Sequence, residues 1–527
     1  MLLFLVLCPI VAAILIIAGT STRLTALVAS ILNLLVTLLI FARFDRVAAG
    51  FQFVSSFVVS TDWRIHLAFG VDGLSLLMLL LATIVTVGAI WFAGSPQRVR
   101  PVAEKIDNGT GGSRATWTGK PERVDEPGGE SINYERAFYA CLLFISAGAI
   151  GAFASIDLFF FYAFHELALI PTFLLIGIWG TGNRVAAAWK ITIYLTLGSF
   201  VLLIGLILLY QSLPPPERTF DIRGLQESIV VHPIAASEQR HIYLLLLIGF
   251  GILISLFPFH SWAPDAYASA PPSAAMLHAG VLKKFGLYGL LRLATPLLPQ
   301  GAHYWMYLLA ILLLGNIIYI GLVTLGQKQL DWMLGYSSVM HMGYIFLGIA
   351  SANILGTIGA AALIFAHGLS IALLFAIAGQ IRNRTGTLTF GELGGLAKVM
   401  PFAGLAFGFA TFATIGLPGF ANFTSEIMIF FGAIRNGWSM ERFHIFQIAT
   451  VLALWGVVIS TVYMLRAYRS IFMGTMNERW TKIVDLSPGL RIPVALLVAG
   501  LIWFGFFPQT FVRMVEPTFR TYFTATK

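Results

Sequence analysis

A series of long apolar runs constrains this chain more than any other feature of its sequence. Hydrophobic residues make up 58% of its 527 residues and charged residues 11%, whereas charged residues approach a quarter of a soluble domain. An α-helix of about twenty apolar residues crosses the hydrocarbon of a bilayer, so we predict an all-α integral membrane protein with about fourteen transmembrane helices. The predicted spans are 2–19, 24–42, 73–93, 137–154, 158–180, 187–210, 242–262, 272–297, 303–324, 333–351, 354–381, 400–436, 446–472 and 489–507.

The loops between the spans predict the orientation. The first span begins at Met1 without a basic region or a small-residue cleavage site, so we expect it to remain as a helix. Basic residues, such as Arg184 with Lys190 and Arg382 with Arg384, follow odd-numbered spans, and the positive-inside rule makes those loops cytoplasmic. Both termini are therefore expected on the outer side. The net charge of +9 is attributed to this topology and not to nucleic-acid binding.

Two segments outside the spans differ in composition from the rest. Residues 95–136 are rich in Gly, Pro, Asn and both charges, which is typical of a flexible linker, here a cytoplasmic insertion. Residues 211–240 contain three consecutive prolines and an amphipathic piece, and are expected to cap the outer face. The predicted division is 1–94 (three helices), 95–136 (insertion), 137–297 and 303–472 (two repeats) and 473–527 (a cytoplasmic loop, the last helix and an outer tail).

The seventh and twelfth spans are each interrupted. Phe257-Pro-Phe-His-Ser-Trp-Ala-Pro-Asp265 breaks the first of them and Leu417-Pro-Gly419 the second. Backbone groups that are freed inside a bilayer are tolerated only where they are buried in protein or line a water-filled path. Spans 4–8 and 9–13 each carry the interruption in their fourth helix, and each has an odd number of helices. We therefore predict inverted five-helix repeats, a pattern that points to an ion path.

Ionisable residues inside the apolar spans are the candidate functional residues, because a charge in the hydrocarbon is costly unless it is paired or hydrated. Glu166 interrupts the apolar fifth span, which favours a proton site over a structural hydrogen bond. Lys283 and Lys284 follow the first break, too far from a loop for both to reach the membrane surface.

Three further candidates lie in the second repeat. His341 and His367 occupy neighbouring spans, and two histidines along one polar track favour a proton relay over two satisfied core residues. Glu426 lies just past the second break. Its alternative explanation is a carboxylate that the dipole of a helix N-terminus favours without any role in transport.

Six motifs are spread along the chain: Gly70-Val-Asp-Gly-Leu-Ser75, Phe164-His-Glu-Leu-Ala-Leu-Ile-Pro171, Phe257-Pro-Phe-His-Ser-Trp-Ala-Pro-Asp265, Tyr336-Ser-Ser-Val-Met-His-Met-Gly343, His367-Gly-Leu-Ser370 and Gly416-Leu-Pro-Gly419. Together they resemble a known family, the antiporter-like subunits of respiratory complex I, over essentially the whole chain. Within that family the chain is most similar to the NuoM type, also called the subunit-four type, because Glu426 stands where the other types carry lysine. The chain also ends without the long lateral helix of the NuoL type.

The resemblance implies a multi-pass subunit in the membrane arm of NADH:quinone oxidoreductase, in the bacterial cytoplasmic membrane, a translocase without redox chemistry of its own. NuoL-type and NuoN-type subunits, the bilayer and protons are the expected partners, with no nucleic acid. NADH, FMN, Fe–S clusters and quinone are expected in other subunits. Cys8 and Cys141 lie in apolar runs, and no spacing for Fe–S, haem or zinc ligands occurs. The implied proton axis comprises Glu166, Lys284, His341, His367 and Glu426, with Lys283, His165 and His260 as further candidates.

Two departures from the family pattern stand out. The lysine that the family carries in the seventh helix, the partner of the glutamate in the fifth, falls here on Leu253. His165 and Lys283 are the candidate substitutes, but each is offset by about 100° from its neighbour on an α-helix. We therefore expect a water-mediated substitute or a weakened Glu166 switch, not a direct ion pair. The second departure is Gln329-Leu-Asp-Trp332, which reverses a local charge at the predicted cytoplasmic entrance.

Two alternatives to a proton-translocating subunit remain open. One is a subunit of an Mrp-type cation/proton antiporter, against which Glu426 argues. The other is a structural paralogue that holds the membrane arm together without pumping, for which Leu253 is the main support.

Overall fold

The computed structural model describes residues 1–48, 50–94, 99–100, 122–123, 128–215, 217–435 and 443–525. Most of the predicted insertion 95–136 lies outside the described residues. Its described parts differ from the expected linker, because residues 99–100 and 122–123 pair as two short antiparallel strands and residues 128–136 belong to a helix. The predicted domain boundaries and the inverted relation of the two repeats stay predictions.

The described chain is almost entirely helical. Four short strands complete it: β1 (Gln52–Ser60), β2 (Ile65–Val71), β3 (Val99–Arg100) and β4 (Glu122–Arg123). The helices are α1 (Leu2–Ala18), α2 (Thr22–Arg43), α3 (Gly73–Ala93), α4 (Gly128–Ala154), α5 (Leu158–Trp179), α6 (Arg184–Gln211), α7 (Ile222–Val231), α8 (Ala236–Ile254), α9 (Trp262–Ser269), α10 (Pro272–Leu277), α11 (Lys284–Gly289), α12 (Thr295–Leu297), α13 (Pro299–Leu314), α14 (Ile320–Leu325), α15 (Leu330–Ala350), α16 (Ile354–Thr385), α17 (Pro401–Thr414), α18 (Ala421–Ile434), α19 (Phe443–Phe472), α20 (Pro488–Phe506) and α21 (Gln509–Ala525). Three π-helical turns join α10 to α11 (His278–Leu282), α11 to α12 (Leu290–Ala294) and α13 to α14 (Gly315–Tyr319), and two 3₁₀ turns span Leu396–Lys398 and Glu478–Trp480.

The predicted membrane character is confirmed. Among the described residues, 11 helices are long and apolar enough to cross a bilayer. They coincide with eleven of the predicted spans. The other three predicted spans correspond to the shorter α1, to the segment 272–297 with its π turns, and to the pair α17 and α18.

One predicted span is wrong in its bounds, because its helix ends ahead of the proline motif and earlier than hydropathy indicates. The seventh was predicted as 242–262, but α8 ends at Ile254 and α9 begins only at Trp262. The twelfth was predicted as 400–436 with an interruption at Leu417-Pro-Gly419, and residues 415–420 divide it between α17 and α18 as expected. Both interruptions lie at the predicted motifs.

One end of the bundle carries structure that hydropathy does not predict. β1 and β2 form an antiparallel hairpin that leads into α3, and α21 packs its apolar side on the start of α3, where Gly73 touches the Met514 backbone. The amphipathic α7 lies at the same end, because Ile222 N–H donates to Ile156 O and Ile156 N–H donates to Ala68 O. We call this the hairpin end and the opposite end, with the basic loops, the basic-loop end.

The core of the bundle consists of α3, α4, α15 and α16. In the apolar stretch of α16, 100% of the residues are buried. In those of α2, α6 and α19 only 39% are buried, and these helices form the outer wall. A helix that is apolar all round is expected in such a core. His341 on α15 and His367 on α16 therefore lie far from the bundle surface.

Candidate functional site

The first break is closed by side chains from other helices. Asn316, in the π turn between α13 and α14, accepts a hydrogen bond from Phe257 N–H at 2.7 Å and donates to Ser255 O at 3.1 Å. Trp262 Nε1–H donates to Ile252 O at 3.0 Å. The backbone groups that the end of α8 leaves free thus find partners in the interior of the bundle, as a break at membrane depth requires.

The two consecutive lysines point in different directions. Both are completely buried, at 1% exposure for Lys283 and 0% for Lys284. Lys284 Nζ lies 2.9 Å from His367 Nδ1 and 3.6 Å from the sulfur of Met342. Lys283 Nζ instead lies 3.4 Å from Ser338 Oγ. No ion pair of the described residues includes either lysine, so each ammonium depends on neutral groups and hydration.

The two histidines continue the track that begins at Lys284. The rings of His341 and His367 lie 5.3 Å apart. His341 Nδ1 is 2.8 Å from Ser337 O, and its Nε2 is 3.1 Å from Thr414 O. A neutral imidazole has one N–H and can donate to one of these two carbonyl oxygens, whereas an imidazolium donates to both. The site around His341 therefore offers a place for an additional proton.

Thr414 connects this track to the second break. It is the last residue of α17, and Gly416 follows it with a left-handed φ of 70°. A Cβ at Gly416 would lie 2.4 Å from Glu426 Oε2, so the carboxylate rests directly on the broken segment. Glu426 is buried, with 5% exposure. The structure thus brings Lys284, His367, His341 and the segment that holds Glu426 into one continuous row.

Glu166 lies apart from this row. Its side chain is half-buried, and its Oε1 has no hydrogen-bond partner among the described residues. None of the ion pairs of the described residues includes Glu166, in agreement with the expectation of no direct cation partner. His165 turns the other way into the core, where it stacks on Phe285 with ring centroids 4.0 Å apart.

His260 and Leu253 are also separate from the row. His260 is half-buried in the first break, with Nδ1 3.1 Å from Pro258 O and its ring beside Phe257. Leu253 is buried against Gly198 of α6. The charge reversal at Asp331 is compensated, because Asp331 forms an ion pair with Arg382 at the basic-loop end.

Sequence reasoning missed several polar groups of the site. Asn316 was overlooked although an asparagine in an apolar span is a signal of the same kind as Glu166. The Thr414 carbonyl carries no signal in the sequence at all, because a helix end frees it. His278 and Tyr267, which share a hydrogen bond of 3.2 Å, were also missed. The sequence did contain a signal for His278, which is an ionisable residue in an apolar span, five residues before the lysine pair.

A membrane-spanning bundle with two broken helices and a buried row of lysine, histidine and glutamate defines an ion-translocating membrane protein. The model of the family described as NADH:quinone oxidoreductase/Mrp antiporter, transmembrane, matches residues 155–453. This chain belongs to that family.

Individual relatives agree over nearly the whole chain. Subunit M of the NADH-quinone oxidoreductase of Rhodobacter capsulatus is 32% identical over 519 residues, which cover 95% of this chain and 90% of the relative. Subunit M of the F(420)H(2) dehydrogenase of Methanosarcina mazei is 32% identical over 490 residues, which cover 92% of this chain and 90% of the relative. These names confirm the predicted resemblance to the NuoM type.

Solved structures share the fold. A chain of respiratory complex I from Thermus thermophilus matches with a TM-score of 0.84 and 25% identity, covering 100% of both chains. A chain of the Mrp complex from Dietzia sp. matches with a TM-score of 0.79 and 19% identity, covering 99% of this chain and 98% of the other. The second likeness concerns the fold alone.

Proposed function

We propose that this chain is a proton-translocating membrane-arm subunit of an NADH:quinone oxidoreductase. The row from Lys284 through His367 and His341 to the segment under Glu426 is the observation that carries the proposal. It joins α11, in the span after the first break, to α18, which follows the second break, and all four side chains are buried. Such a row is costly in a membrane protein unless it conducts or stores charge.

The row functions through two groups. One is the Lys284 ammonium, and the other is the His341 imidazole, which lies within hydrogen-bond distance of two carbonyl oxygens. Lys284 gives its proton to His367 Nδ1 along the 2.9 Å contact and becomes a neutral amine. His341 holds an additional proton between two carbonyl oxygens, of which Thr414 O belongs to the second break. A movement of that break changes how well the oxygen accepts the hydrogen bond from the imidazolium. The imidazolium then releases its proton, and Glu426 on the far side of Gly416 receives it. The carboxylate then acts as the proton acceptor and not merely as a helix-dipole partner.

A neighbouring subunit is expected against α5. Glu166 lies on the same helix face as Phe159 and Ile170, whose exposed fractions are 46% and 71%. A glutamate that is only partly buried at membrane depth is not stable against lipid, so we infer that this face is covered by a partner with a polar or basic group. NuoL-type and NuoN-type subunits are the partners that we propose for this face.

The finer features of the assignment belong to the proposal as well. The chain acts as part of a translocase, and the redox groups (NADH, FMN, Fe–S clusters and quinone) bind to other subunits. One relative is named as a subunit of an F(420)H(2) dehydrogenase, so F(420)H(2) is the alternative electron donor. The protein resides in a bacterial cytoplasmic membrane, with its basic-loop end inside and both termini outside.

Substitution of the two acids tests the proposal. In purified complex reconstituted into vesicles, Glu166→Gln and Glu426→Gln should each keep the complex assembled and strongly lower proton-coupled quinone reduction. The effect of Glu426→Gln is expected to be the milder one, because its place near a helix start gives the carboxylate a partly structural role. Wild-type coupled activity in assembled Glu166→Gln complex would refute the assignment.

The Mrp-type antiporter is the second candidate, and the shared fold is its support. An antiporter exchanges cations for protons without a quinone, so Na⁺-driven proton movement in vesicles that contain no electron donor would favour it.

A further inference from the structure

A π turn gives Lys283 an orientation that an α-helix would not allow. Lys283 N–H donates to His278 O at 3.0 Å, a bond between residues five apart. Five residues of α-helix rotate by about 500°, which leaves the first and last about 140° apart. The wider π turn rotates less per residue, so it brings His278 and Lys283 closer to the same side than an α-helix would. Single π turns often mark functional sites.

Lys283, Tyr267 and His278 form a compact buried cluster on that side. Lys283 Nζ lies 5.7 Å from the centre of the Tyr267 ring. The Tyr267 hydroxyl lies 3.2 Å from His278 Nδ1. All three residues are nearly inaccessible, with exposed fractions of 1%, 2% and 5%. The cluster is therefore not a surface feature, and Lys284 points away from it towards His367.

The cluster leads towards α5. His278 precedes the lysine pair by one π turn, and Phe285, which directly follows the pair, packs against α5. His165 is stacked on Phe285, and neither of its ring nitrogens has a hydrogen-bond partner among the described residues. Two buried polar nitrogens without partners are costly, which indicates hydration on the His165 side. Basic groups thus extend from the lysine pair to the residue that precedes Glu166.

The lysine pair cannot hold two charges easily. Two ammonium groups on consecutive, completely buried residues would repel each other, and no ion pair among the described residues joins either lysine to a carboxylate. Like charges in one buried site favour a single proton shared between two positions. A proton on Lys284 therefore disfavours one on Lys283, and the reverse.

We propose that Lys283, Tyr267 and His278 form a second proton site that takes the place of the lysine absent at Leu253. The proposal rests on the proposed function, because it adds a branch to the same buried row. When Lys284 gains a proton, Lys283 releases one and becomes a neutral amine. The Tyr267 hydroxyl gives its proton to His278 Nδ1, and the proton from Lys283 replaces it. Tyr267 is therefore unchanged at the end, and His278 has gained one proton and become an imidazolium. One proton has then moved towards α5.

The test uses the complete complex in vesicles, with proton uptake and quinone reduction measured together. Tyr267→Phe keeps the ring and removes the hydroxyl, and His278→Leu removes the imidazole. A positioned proton-transfer group contributes about 10²- to 10⁴-fold to a rate, so we expect each variant to lower the rate of proton uptake at least about tenfold. Electron transfer to ferricyanide, which bypasses the membrane arm, should not change.

Controls separate this proposal from the proposed function. Tyr139→Phe removes another buried hydroxyl, which bonds to Gly94 O, and should leave proton uptake unchanged. Leu253→Lys should not raise proton uptake, because the site that it would restore is already supplied; an increase overturns the proposal. Wild-type proton uptake in Tyr267→Phe and His278→Leu, together with loss in Glu426→Gln, overturns the branch and leaves the proposed function intact. If His278→Leu fails to assemble, Tyr267→Phe decides.

Discussion

Asn316 is expected to be the most sensitive uncharged position in the chain. Its side chain is fully buried and forms three hydrogen bonds, with Phe257 N–H, Ser255 O and Val339 O. Val339 O lies inside α15 and keeps a helical partner. Asn316→Leu therefore leaves two backbone groups of the first break without a partner. At about 1–3 kcal/mol for each orphaned group, the variant should lose about 2–6 kcal/mol of unfolding free energy.

Asn33 offers a matched control for this prediction. Asn33 Nδ2 donates to Leu5 O at 2.9 Å, and Leu5 O has no helical partner because Pro9 lacks an N–H. Asn33→Leu therefore orphans one group, and about 1–3 kcal/mol is expected. Unfolding in mixed micelles of SDS and a mild detergent measures both values. If Asn316→Leu costs no more than Asn33→Leu, or leaves proton coupling at the wild-type level, the assigned role of Asn316 in closing the break is wrong.

Two further predictions concern the second break and the hairpin end. Gly416→Ala should displace Glu426 and lower proton uptake. Gly386 has a similar φ of 74° but open space around it, so Gly386→Ala should lower stability alone. Equal proton uptake in the two variants would contradict the contact between Gly416 and Glu426. Arg292 and Asp72 form a completely buried ion pair at 2.5 Å, so Asp72→Asn or Arg292→Met should each cost about 3–5 kcal/mol. The double variant should cost less than the sum of the two single variants, and strictly additive losses at Asp72 and Arg292 would contradict their pairing. As a control, Lys190→Met should cost about 0–1 kcal/mol, because the ion pair of Lys190 with Asp265 is about one-third exposed.

Local sequence determined the membrane class, the places of the breaks and the identity of the central ionisable residues. Apolar runs of sufficient length cross a bilayer whatever their neighbours are, so eleven predicted spans coincide with helices of that kind. Proline and glycine end helices by local sterics, so both breaks occur where their motifs lie. The cost of a charge in hydrocarbon likewise marks Lys284 and Glu426 without knowledge of the fold.

Amphipathic and strand-forming segments were harder to interpret. Hydropathy averages over a window and cannot distinguish an outer tail from α21, in which Phe511, Met514 and Val515 are buried on one side. The β1–β2 hairpin was missed for a similar reason, because its residues are mixed in polarity and its partner strand defines it.

Only the tertiary structure decided which ionisable groups meet. Glu166 and His165 are adjacent in sequence, yet Glu166 faces the outside of the bundle and His165 faces the core. The stacking of His165 on Phe285 fixes these orientations. Lys283 turns towards Tyr267 because a π turn widens the helix. The break is stable because Asn316, 59 residues from Phe257, supplies its hydrogen bonds. Such partners come from segments distant along the chain, and their distances are a property of packing that no local pattern contains.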